Sequence, residues 1–78
     1  MVTELDNIAN GRTVIVDSLK DSNLKVKLME MGLMKGKKVK VLFRGPFGDP
    51  IAIDVEGYVL SLRKSEANLI FVNAEITA

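Results

Sequence analysis

The side chains that most often move protons, attack substrates or hold transition metals are missing from this chain: it has neither His nor Cys. Without them there is no imidazole to titrate near neutral pH, no thiolate nucleophile and no Cys/His zinc set. The carboxylates Asp49, Asp54 and Glu56 sit among turn-forming residues, and their spacing does not force several oxygens onto one hard cation. The run Gly32-Leu-Met-Lys-Gly36-Lys37-Lys38 is one residue short of phosphate-loop spacing, and Lys38 stands where a Ser or Thr should reach magnesium. The residue types therefore predict no catalytic residue, no cofactor and no resident metal. What is left is chemistry of contact.

Two places carry candidate contacts. In Arg44-Gly-Pro-Phe-Gly-Asp-Pro50, two glycines, two prolines and an aspartate make a constrained turn with Phe47 at its tip. Phe47 either folds back as a core plug or stands out as an anchor for a partner. Arg44, beside the turn, is either a strand-end solvent residue or a guanidinium offered to that partner. The second place is a helix expected over roughly 23–31, with Ser22 as N-cap and Gly32 as a left-handed C′ residue that lets Leu33 fold back onto Leu28. At about 100° per residue, Leu24, Leu28 and Met31 share one stripe, and Val26 and Met29 fall nearly opposite. A helix on a small domain buries one face, so Val26 and Met29 are either capped by a loop or left for a partner.

The elements that must position these residues are mostly strands. Thr13–Leu19 is β-branched and closed by polar residues, and Lys37–Arg44 alternates with Val39, Val41 and Phe43 on one side. Ile51–Val55 and Tyr58–Leu62 flank Gly57 as a hairpin, residues 63–68 read as a single helical turn, and 69–76 alternate again. The expected core is Val14, Val39, Val41, Phe43, Ile53, Leu60, Ile70 and Val72. Together these predict a mostly β fold, a small SH3-like β-barrel of about five strands with one α-helix after the first strand, in a single domain over residues 1–78. An open α+β sheet covered by the helix is the alternative.

Composition narrows the function classes. At 47% hydrophobic and 27% charged residues, the chain has enough apolar content to fold, and its length limits it to one core. The absence of Cys fits a reducing compartment, and no apolar run is long enough to insert in a membrane. Net charge is +1, but residues 1–44 hold nine Lys/Arg against five Asp/Glu while residues 45–78 hold two against five. A basic half suggests a solvated lysine face, an acidic partner or nucleic acid. A small barrel that binds RNA is the second function class; against it stand the absence of Trp, the few aromatic residues and the acidic second half.

Taken in order, Leu28-Met-Glu-Met-Gly-Leu33 with Gly36, Gly45-Pro-Phe-Gly-Asp-Pro-Ile51, and Leu60-Ser-Leu-Arg63 with Glu66-Ala67 resemble the FeoA family of ferrous iron transport accessory proteins. Lys27 and Lys35 depart from that pattern, standing where the family usually has Arg and often has Pro. The resemblance implies an SH3-like fold in the bacterial cytoplasm. It also implies regulation of a FeoB-type membrane transporter carrying a GTPase domain, without nucleic-acid binding or direct membrane insertion, and leaves self-association open. Val26, Met29, Arg44 and Phe47 are the expected partner-binding residues.

Overall fold

The chain forms six strands, most of them from hydrophobic alternation between tight turns: β1 Val2–Glu4, β2 Thr13–Leu19, β3 Lys38–Arg44, β4 Ile51–Val55, β5 Tyr58–Leu62 and β6 Ile70–Asn73. Two short helices, α1 Lys25–Glu30 and α2 Lys64–Ala67, complete the computed structural model, which describes residues 1–74. The strands form one antiparallel sheet in the order β1-β6-β2-β3-β4-β5. β2 joins both halves of the sheet: Thr13–Ile15 pair with β3, and Ile15–Leu19 pair with β6 through a register shift at Asp17.

Three expectations need correction. There are six strands, because the N-terminal segment pairs with β6 as β1 and continues into a 3₁₀ turn at Leu5–Asn7 that buries Leu5 and, just beyond it, Ile8. The helix therefore follows the second strand. The hydrogen-bonded ladder is not closed into a barrel, since β1 and β5 are its two edges; the sheet curls around the core without joining its ends. Phe43 is not core: the register shifts between Val41 and Phe43, so one extra residue inverts the alternation and leaves Phe43 61% exposed. Leu42 is the extra residue at that bulge. Of the other expected core residues, Val14, Val39, Val41, Ile53, Ile70 and Val72 are buried and Leu60 is half-buried against them. Residues 75 and 76 of the last predicted strand lie outside the described residues.

The helix starts later than expected: it begins at Lys25 with Leu24 as its N-cap and no side-chain cap, and Ser22 lies two residues before that cap, its hydroxyl accepting the Leu24 N–H (3.2 Å) in the turn that leads in. At the other end Gly32 takes φ +92°, with Leu33 N–H donating to Leu28 O (3.1 Å) and Gly32 N–H to Met29 O (2.9 Å). These are the paired bonds of a Schellman end, and they turn Leu33 into the core beside Leu28, both fully buried. Gly32 has a second reason to lack a side chain, because a Cβ there would collide with the Tyr58 hydroxyl.

Candidate docking site

The turn between β3 and β4 is held from three sides. Across its base Gly45 N–H donates to Pro50 O (2.8 Å), a closeness that leaves no room for a Cβ at position 45 against Asp49 and Pro50. The Asp49 carboxylate accepts the Lys64 N–H (2.9 Å) and ties the turn to α2. Behind it, the Arg44 guanidinium donates to Asp6 O (2.8 Å), Ile8 O (2.7 Å) and Asn10 Oδ1 (2.6 Å). The turn thus presents Phe47 on a fixed base. Phe47 is 100% exposed and takes φ +61°, a left-handed conformation that bulky L-residues seldom adopt.

On α1, Val26 is 66% and Met29 41% exposed, so no loop caps the outer stripe, while Leu24, Leu28 and Met31 pack inward. Met29 continues into a shallow groove with Leu19 and Met34, bordered by Lys25 and Lys35. The expected contact residues therefore fall on two elements. Val26 and Met29 share the outer side of α1, Phe47 stands on the turn, and Arg44 lies behind that turn with its guanidinium committed to the N-terminal segment.

What joins these two elements is a feature that sequence reasoning missed. A cleft of about 550 Å³ has Leu24, Lys27 and Met31 of α1 on one wall and Ser61 of β5 and Arg63 on the other, with Pro50 and α2 at its end. The Tyr58 hydroxyl donates to Met31 O (2.6 Å) and fastens the β4–β5 hairpin to the C-terminal end of α1. Lys27 reaches Glu66 (3.7 Å), whose carboxylate also accepts the Arg63 N–H (2.8 Å), so both walls are linked to α2. No periodicity could have shown this cleft, since it is made by residues scattered over positions 24 to 66.

Two carboxylates lie against the basic stretch in and just before β3. Lys40 lies opposite Asp54 on β4; Glu56 accepts the Lys38 N–H (3.0 Å) and approaches Lys37 Nζ (3.5 Å). That backbone hydrogen bond, followed by the field of Lys37 and Lys38, holds the Glu56 carboxyl below its ordinary range. Among the described residues, no group of three carboxylates converges as a metal cage, and no helix is long and apolar enough to cross a membrane.

The model of the FeoA domain matches residues 3–74. Among solved structures, a FeoA-like protein from Clostridium acetobutylicum is 35% identical, with a TM-score of 0.89 over 99% of this chain and 91% of its own. An iron uptake regulatory protein (FeoA) is 34% identical, with a TM-score of 0.82 over 94% of this chain and 96% of its own. FeoA of Stenotrophomonas maltophilia, complexed with zinc and described as a prokaryotic SH3 domain protein, is 28% identical over 94% of this chain and 92% of its own, with a TM-score of 0.84. A manganese-dependent transcriptional repressor, 20% identical over 94% of this chain and 41% of its own, shares the fold at a TM-score of 0.84. Comparison with curated proteins gives no match. With the domain model spanning nearly every described residue, and a relative identical at a third of positions over the full length, this chain belongs to the FeoA family.

Proposed function

We propose that this chain is a non-catalytic accessory protein of bacterial ferrous iron uptake, which acts in the cytoplasm by docking on a FeoB-type transporter and regulating its GTPase domain. The observation that carries the docking reading is Phe47, a fully exposed aromatic side chain held in a left-handed conformation on a turn braced from three sides. An apolar ring kept out of the core at a conformational cost suits an anchor that finds its cover on a partner. Val26 and Met29 add exposed apolar surface on α1, where the flexible thioether adapts to an opposing shape. Arg44 serves the contact from behind by fixing the base of the turn. The RNA-binding alternative is disfavoured by the carboxylates that lie against Lys37 and Lys40.

The test is co-purification of the tagged chain with a detergent-solubilised FeoB-type transporter, with thermal melts run on the same variants. A well-packed Phe anchor contributes on the order of 2 kcal/mol, so Phe47→Ala should weaken binding by more than about tenfold. Val26→Asp is expected to do likewise, and both variants to keep a cooperative melt near that of the wild type. Full retention of the transporter by both variants would overturn the reading.

A further inference from the structure

Strand β5 is a sheet edge without the usual guards. Natural edges are blunted by Lys, Pro or bulges, yet Tyr58-Val-Leu-Ser-Leu62 has none of these and pairs with β4 in unbroken register. The hairpin turns through Glu56 (φ +45°) and Gly57 (φ +114°), a two-residue loop that makes Val55 and Tyr58 a hydrogen-bonded pair. Alternation then turns the backbone groups of Tyr58, Leu60 and Leu62 toward β4 and those of Val59 and Ser61 away from it. Among the described residues, no hydrogen bond reaches the outward N–H or C=O of Val59 or Ser61.

Ser61 opens into the cleft described above, and α1 stands across that cleft. The far wall bears on what can enter: a single extended strand asks for the least room beside β5, whereas a second copy of the chain would bring its own sheet against α1. The entrance is cationic. Arg63 is exposed, with no carboxylate partner for its guanidinium among the described residues, and Lys27 is 61% exposed while its partner Glu66 is already shared with the Arg63 N–H. We infer that β5 receives one extended, acidic segment of the partner as an added strand in the cleft between β5 and α1. Its main chain pairs with Val59 and Ser61, and its carboxylates meet Arg63 and Lys27. This rests on the docking reading above and names the part of the partner that docks. Strand addition of this kind draws affinity from main-chain bonds and specificity from the side chains that flank them.

Backbone amide exchange tests it directly. In the free chain the Val59 and Ser61 amides should exchange fast, and those of Tyr58, Leu60 and Leu62 slowly. Exchange is then repeated with the chain bound to the solubilised FeoB-type transporter, quenched, and read site by site on the released chain. Val59 and Ser61 are expected to become protected by at least about tenfold, since each gains a hydrogen bond. Ser61→Pro removes one outward N–H without touching the β4 ladder, so it should fold and lose about tenfold in affinity, whereas Leu60→Pro should unfold. If Ser61→Pro does not fold, the exchange pattern decides alone. Binding that still depends on Phe47 but leaves both amides unprotected would overturn the strand addition and keep the docking reading. No binding at all would overturn both. Protection that appears on concentrating the chain alone, with dimers by light scattering, would make a second copy the occupant and overturn the proposal.

Discussion

Arg44 shows how one side chain can serve a surface without forming it. Its guanidinium, 36 and 38 positions away in sequence, satisfies two carbonyls of the segment that carries Leu5 and Ile8 into the core. Hydrogen bonds from a charged donor contribute about 1.5–3 kcal/mol, and truncation leaves half-buried carbonyls without a partner, so Arg44→Ala should cost about 2–3 kcal/mol in a urea titration. Arg44→Lys should recover little of it, because a single ammonium nitrogen does not reproduce the planar fork whose two nitrogens reach Asn10 and the two carbonyls separately. Equal stability of the Ala variant and the wild type would show that the N-terminal segment docks without this clamp. At Phe47, by contrast, the fold has no stake in the ring, and all of the expected loss on truncation falls on binding.

Among the elements, the β4–β5 hairpin is tied down at its turn by charge. Glu56 accepts the Lys38 N–H at the start of β3 and faces Lys37, and these interactions favour its ionised form in the folded chain. Its folded pKa is lowered, so the stability it contributes is present above its unfolded pKa and is lost as pH falls through the lower folded value. Stability is therefore expected to decline with acid below the ordinary carboxylate range. Glu56→Gln should flatten that part of the profile and lower stability slightly at neutral pH, where the wild-type residue is charged. An unchanged acid limb in the Gln variant, measured by urea melts from pH 7 downward, would show the contact to be energetically silent. The same hairpin carries β5 and the Tyr58 hydroxyl that holds α1, so this turn indirectly sets the width of the cleft.

For the whole molecule, part of the uneven charge of the two chain halves is offset by contacts between them. The lysines of the first half meet acids of the second: Lys37 with Glu56, Lys40 opposite Asp54, and Lys27 with Glu66. Scattered carboxylates make poor ligands for a cation, and among the described residues no three of them converge. Isothermal titration of the monomer with zinc or ferrous ion is expected to give no stoichiometric site of sub-micromolar affinity. A tight one-to-one isotherm would mean that this chain carries a metal site of its own, for which the zinc complex of the Stenotrophomonas maltophilia relative is the natural comparison.

Much of this molecule is local and therefore legible in its sequence. The four strands from Thr13 to Leu62 follow from alternation and β-branching, the Schellman end of α1 from Gly32 and Leu33, and the placement of Val26 and Met29 opposite the inward stripe from helical phase, whereas the sequence leaves their exposure open. Residue types alone argued against catalysis, and the order of short motifs pointed to the family. Tertiary structure decided what local pattern cannot encode. A bulge at Leu42 inverts the face of Phe43, because pairing with β4 sets the register. A three-residue β1 is too short to show a period and exists only because β6 offers an edge. The ladder ends at β1 and β5 without joining them, and the Tyr58 hydroxyl ties α1 to the β5 end. The cleft follows from that opening: its residues become neighbours only when the sheet curls, and the free backbone groups of β5 are defined by the strand that is not beside them.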